Sequence, residues 1–195
     1  MAIDEGLLEK VARDGGAYLR FYRWNPPTLS LGRNQPITIS GVPIVRRPTG
    51  GQAVWHDDEV TYAVVAPIES FGSLRKAYCE IHTRLARALR SLGADAALAP
   101  AHPPIRPSAH PSSCFAFPVG GEILVHGKKL VGSAQVRRRN AFLQHGSILL
   151  GGSQQHVGDA GGATTLAEAL GRPVTFEEVV DAITATWEIA SLASR

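Results

Sequence analysis

The residue best placed for covalent chemistry is Cys114. It follows two serines and precedes Phe115 and Phe117 in "SSCFAFP", a stretch with the pattern of neither helix nor strand, and loops carry function more often than regular elements do. A thiol becomes a nucleophile when a nearby cation or base favours its thiolate. Lys129, on the hairpin that follows, is a candidate for that cation. Cys79 differs in kind: it falls inside a long helix and is expected to behave as a small, semi-buried hydrophobe. A second concentration of reactive types is "RRPTGGQAVWHDDEVTY", residues 46–62. Its Gly50-Gly51 pair would let backbone approach a carboxylate, phosphate or acyl chain with no Cβ in the way, although a tight corner between strands needs the same residues. His56 beside Asp57 and Asp58 reads more easily as a turn with local hydrogen bonds than as a catalytic group.

Several chemistries are excluded by spacing. No Gly-Lys-Ser/Thr follows the glycine pair, and in "HGKKL" Lys129 stands where a P-loop needs a hydroxyl. "GSILL" and "GSAQV" lack the G-x-S-x-G elbow of hydrolases. His102, His110 and Cys114 match no metal-ligand spacing, so no metal is expected. A net charge of +3 with an isoelectric point near 9.1 does not imply nucleic acid. The basic residues are only locally clustered, at Arg137-Arg138-Arg139 with Lys128 and Lys129 nearby; this is a solvated turn or a patch that steers an acidic protein. No apolar run is long enough for a bilayer and the start is no signal peptide, which points to a cytoplasmic protein with no membrane partner. Two cysteines form no disulfide framework.

The elements that must position these residues alternate between strand and helix. "AYLRFYRW" (17–24) alternates like a half-buried strand, and 43–45, 52–55 and 60–67 read as short strands parted by glycine and acidic turns. Leu74, Ala77, Tyr78, Ile81, Leu85, Ala88, Leu89 and Leu92 form one apolar face over residues 73–92, stopped by Gly93. Six prolines in residues 100–118 rule out helix and central strand there. Residues 122–136 predict a hairpin turning near Gly127-Lys128, and 142–150 another strand. Two helices close the chain. The last starts at "TFEE", with Thr175 and Glu178 as a capping box and Phe176, Val179, Ile183 and Trp187 as its buried stripe. The expectation is a single α+β domain, mixed β-sheets flanked by helices, over residues 1–195.

"RRPTGGQAVWHDDEVTYAVV" together with "HGKKLVGSAQVRRRNAFLQHGSILL" resembles the biotin/lipoate A/B protein ligase family, in its lipoate–protein ligase A and octanoyltransferase group. "MAIDEGLLEKV", "LRFYRWNPPTLSLGRNQ" and "SSCF" agree, so the likeness spans roughly residues 1 to 155. The resemblance implies the catalytic-domain fold of that family. Three features resemble its cysteine-dependent octanoyltransferases: Cys114 in a Ser-Cys-Phe setting, "DDEVTY" in place of the usual ligase version, and an end at Arg195 that leaves little room for an accessory C-terminal domain. By that resemblance Cys114 takes an octanoyl group from acyl carrier protein as a thioester, and Lys129 lowers the thiol pKa, orients the carbonyl and relays the proton. Arg47, Gly50, Gly51 and His56 line the acyl cleft, His145 and Gly146 close it, and Ala134 borders it. Backbone N–H groups of Gly132 and Ser133 stabilise the oxyanion, typically worth about 3 kcal/mol per donor. A lysine of a lipoyl domain or of glycine-cleavage H protein accepts the group, and no cofactor is needed.

Departures from the family pattern are Gln52 where a third glycine is usual, "FAFPVGGE" without an aromatic residue before the glutamate, and a start almost at "MAIDE" where relatives have a preceding strand. Three rival readings follow. An ATP-dependent lipoate–protein ligase would need ATP and Mg and would survive Cys114→Ala. An amidotransferase from H protein to lipoyl domains would differ only in its donor. A non-catalytic protein would simply bind lipoyl domains or an acyl ligand.

Overall fold

The computed structural model describes residues 1–37, 41–101, 113–158 and 162–192, and the side chains of 1–187 within them. In chain order the elements are helix α1 (Ala2–Asp14), strands β1 (Tyr18–Tyr22), β2 (Thr28–Leu31), β3 (Ile44–Arg46), β4 (Val54–His56) and β5 (Glu59–Pro67), and helix α2 (Leu74–Ser91). Strands β6 (Ala96–Leu98), β7 (Ile123–Val125), β8 (Lys128–Arg138) and β9 (Ala141–Leu149) follow, then helices α3 (Leu166–Leu170) and α4 (Phe176–Leu192).

A six-stranded sheet runs β1-β5-β9-β8-β7-β6, and a three-stranded sheet runs β3-β2-β4. All pairings of the larger sheet are antiparallel; in the smaller one β2 lies parallel to β3 and antiparallel to β4. Strand β5 is buried along nearly its whole length, because both of its faces are covered. Val60, Tyr62, Val64 and Ala66 point to one core, with Ala77, Ile81, Leu85 and Leu89 of α2 and Val179 and Ile183 of α4. Ala63 and Val65 point to the other, with Leu8 and Val11 of α1. This is the two-residue period of a strand sorted onto two faces.

The hairpin between β7 and β8 turns at His126-Gly127, both with positive φ (49° and 78°), the left-handed pair that matches the twist of two antiparallel strands. Helix α2 starts at a Ser73 cap whose hydroxyl accepts from the Lys76 amide. The apolar face over 73–92 is therefore real, but Cys79 is exposed because it lies off that face, where a semi-buried place was expected. The capping box predicted for the last helix is half formed. Thr175 Oγ1 accepts from the Glu178 amide at 3.2 Å, while the Glu178 carboxylate turns out to Arg172. The complete box lies one helix earlier, at Thr165 and Glu168. His102 and His110, in the proline-rich stretch, lie outside the described residues. No helix is long and apolar enough among those described to cross a membrane.

Candidate active site

Cys114 is placed by its neighbours on both sides. Ser113 makes an isolated parallel bridge with Ala53, and the Cys114 amide donates to Ala53 O at 2.9 Å. Phe115 is fully buried against Val54 and Leu149. An apolar anchor after the cysteine and a backbone clasp at it leave the half-buried thiol lining a cavity. Lys129, near the start of β8, is 1% exposed. Its Nζ donates to Cys114 O at 2.6 Å and stands 3.8 Å from Cys114 Sγ. The same ammonium lies 2.7 Å from Glu122 Oε1, and the Val119 amide donates to Glu122 Oε2 at 2.6 Å. Burial alone pulls the lysine down, but the Cys114 and Glu122 charges outweigh it and hold the group above its ordinary value. Lys129 is thus an ammonium with a carboxylate already beside it.

Arg47 lines the same cavity from the segment after β3. Its guanidinium donates to Ser30 O and Ser30 Oγ at 2.9 and 2.6 Å, and to Gly50 O and Gln52 O at 3.4 and 2.7 Å. The Ser30 hydroxyl is left to donate to His56 Nε2 at 2.5 Å, and His56 Nδ1 donates to Glu59 at 2.8 Å. Trp24 stacks on the His56 ring at 4.3 Å. His56 lines the cavity, held from behind by this chain rather than by Asp57 or Asp58.

Gly50 and Gly51 are not among the residues that line the cavity; the cleft-lining role expected of them falls to Arg47. The loop they form is packed backbone to backbone: a Cβ on Gly32 would meet Gly51 O at 2.0 Å. The glycine pair folds the strand end so that the Gly50 and Gln52 carbonyls receive the arginine. Gln52 takes part in the same way, and its side chain accepts from Gln35.

Gly132, Ser133, Ala134, His145 and Gly146 all line the cavity, from the paired strands β8 and β9. The Ser133 backbone amide favours the charge of the Glu122 carboxylate. The Ser133 hydroxyl belongs to a buried chain. Gln144 donates to Tyr62 Oη at 3.0 Å, Tyr62 Oη is 2.6 Å from Ser133 Oγ, and Ser133 Oγ is 2.8 Å from His82 Nε2. His82 Nδ1 donates to Gly121 O at 2.6 Å. Burial pushes the His82 imidazolium down, to a pKa of about 4, so the neutral ring accepts from the serine. His145 Nε2 is 2.8 Å from Thr49 Oγ1 and its Nδ1 faces Asp4 at 4.0 Å. Burial lowers its pKa also.

Glu122, His82, Ser30, Glu59 and Asp4 do not line the cavity but contact Lys129 or residues that line it, and the sequence reading missed them. Glu122 carried a signal: it opens an otherwise apolar strand seven residues before Lys129, in a hairpin that folds the two back together. His82 carried another, a lone titratable residue on the apolar face of α2. The basic run Arg137–Arg139 is exposed at the far end of β8, roughly 25 Å along the strand from Lys129 at about 3.3 Å per residue. Lys129, being buried, is no part of that patch.

Residues 1–188 match the family described as lipoyl protein ligase A/B catalytic domain. The octanoyltransferase LipM of Kyrpidia tusciae is 47% identical over 169 residues, 77% of this chain and 61% of that protein. The LipM of Moorella thermoacetica is 44% identical over 164 residues, 77% of this chain and 60% of the relative. The chain thus spans about three fifths of the length of these relatives. The LipM of Symbiobacterium thermophilum, 37% identical, aligns with 95% of this chain and 79% of its own. Among solved structures, Ta0514 of Thermoplasma acidophilum, a lipoate protein ligase by its description, superimposes with a TM-score of 0.72 at 23% identity, over 95% of this chain and 78% of the other. LipL1 of P. falciparum in complex with lipoate gives 0.74 at 18% identity, over 100% and 59%. These two establish the fold.

Proposed function

Because the chain belongs to the lipoyl protein ligase A/B catalytic-domain family, we propose that it is an octanoyltransferase that carries its acyl group on Cys114. The observation that supports this most is the Cys114 thiol lining a cavity, 3.8 Å from a buried lysine ammonium. The donor is octanoyl acyl carrier protein and the acceptor a lysine of a lipoyl domain or glycine-cleavage H protein.

In the first half-reaction the Cys114 thiolate attacks the donor's carbonyl carbon, a C–S bond forms, the donor's own C–S bond breaks, and the donor thiol leaves with a proton from Lys129. In the second, the acceptor amine attacks the enzyme thioester, an amide forms and the Cys114–acyl bond breaks. The proton lost by the amine returns to Lys129, and Cys114 leaves as the thiolate it began as. A thioester is already activated, so this route consumes no nucleotide.

The test is transfer from octanoyl carrier protein to a purified lipoyl domain with no ATP. The expected result is an octanoylated domain with the native enzyme and none with Cys114→Ala. A Cys114→Ala protein that transfers free octanoate or lipoate with ATP, releasing AMP, would make it a ligase instead.

A further inference from the structure

Lys129 is the cation nearest the thiol, yet Glu122 already matches its charge at 2.7 Å. A thiolate at Cys114 therefore faces a pair whose charges sum to zero. Arg47 is in a different position. It is 5% exposed, it lines the cavity together with Cys114, and its hydrogen bonds all go to neutral oxygens of Ser30, Gly50 and Gln52. Among the described residues no carboxylate forms an ion pair with it. Glu59 is reached only through Ser30 and His56. A buried charge without a partner is costly, and a guanidinium does not escape that cost by losing its proton.

We infer that Arg47, rather than Lys129, supplies the unmatched positive charge that holds Cys114 as a thiolate, while Glu122 keeps Lys129 neutralised as a proton relay. Burial draws Arg47 below its ordinary value and the charge on Cys114 draws it back up, as that charge does for Lys129. The other titratable groups around the thiol do not compete. His145 is kept neutral by burial, and burial likewise keeps the Tyr78 phenol protonated on the α2 side. Both His56 ring nitrogens are engaged by Ser30 and Glu59. Met1 lines the cavity at the start of α1, with Asp4 one turn on. The inference rests on Cys114 being the nucleophile, as proposed above, but it concerns the thiol and no acyl donor.

The experiment is the rate of Cys114 alkylation by iodoacetamide against pH, in a Cys79→Ser background so that one thiol is read. Arg47→Gln is expected to raise the midpoint by about one unit, a tenfold fall in rate below it, and Arg47→Lys to restore most of the difference. The double variant Glu122→Gln/Lys129→Met removes a matched pair and is expected to leave the midpoint within a few tenths of a unit of the native one. Glu122→Gln alone frees the ammonium and is expected to lower it. A folded Arg47→Gln protein with an unmoved midpoint overturns the inference, as does a double variant whose midpoint rises as far as that of Arg47→Gln. Should Arg47→Gln not fold, Glu122→Gln decides, an unchanged or raised midpoint being the adverse result. If these shifts appear while octanoyl transfer does not, the charge assignment stands and the proposed reaction falls.

Discussion

Replacing Lys129 by methionine keeps most of the side-chain volume and deletes the ammonium. Glu122, 2% exposed, then keeps only the Val119 amide at 2.6 Å and the neighbouring Ser133 amide. Breaking a buried ion pair by removing one partner costs about 3–5 kcal/mol, a large part of the roughly 5–15 kcal/mol that holds a domain folded. Burial already pushes the Glu122 carboxyl above its ordinary 4.5, and without the lysine it rises further. The native state of the variant then keeps a proton that the unfolded chain has released, so its stability falls as pH rises past about 4.5 and returns on acidification. Urea unfolding at pH 5 and pH 8 measures both effects. The deficit relative to the native protein should be largest at pH 8. Adding Glu122→Gln to Lys129→Met should recover about 2–3 kcal/mol there, as a coupling within the pair. A single variant within about 1 kcal/mol of the native protein at pH 8, or a double variant no more stable than the single, would refute the buried pair.

Three further outcomes follow from the same geometry. His82, with its pKa held near 4 in the fold and near 6.5 when unfolded, makes the unfolded chain bind more protons between those values. Stability is therefore lost as pH falls from 6.5 towards 4, by up to about 3 kcal/mol, and His82→Gln should flatten that slope in thermal unfolding. A Cβ on Gly146 would meet Gly132 O at 2.4 Å and Tyr62 Cε1 at 2.8 Å, so Gly146→Ala should lower stability by about 1–3 kcal/mol, measured by urea titration. Ala134→Leu fills the cavity wall and should shift preference towards acyl chains shorter than octanoyl in competition assays, with the fold intact by circular dichroism.

The sequence was most legible where one local period decides the outcome. The apolar face of α2, the alternation of β1 and the β7–β8 hairpin, whose turn falls one residue before the expected Gly127-Lys128, each follow from residues within one element. Cys114 and Lys129, visible as a thiol in a loop and a lysine on the next hairpin and singled out by the family resemblance, stand 3.8 Å apart. Their counter-charges were not visible. Ser30, His56 and Glu59 converge only because β2 pairs with β4 in a particular register, and Asp4 meets Arg20 and Tyr22 only after α1 packs on the sheet. Such partners depend on long-range register, which no local pattern encodes. The glycine pair misled for the opposite reason: its local chemistry suits a ligand, and the fold spends it on a close backbone approach to Gly32. Cys79 lies beside the apolar face rather than on it, and Glu178 holds its expected position but turns its carboxylate to Arg172.

The account depends on Cys114 becoming acylated, and the most direct measurement is the intact mass of the Cys79→Ser protein after mixing with octanoyl carrier protein alone. One octanoyl group is expected, mapped to Cys114, removed by hydroxylamine as a thioester and passed on when a lipoyl domain is added. A folded protein that stays unmodified, or that gains the group only with ATP or on an amine, would contradict it.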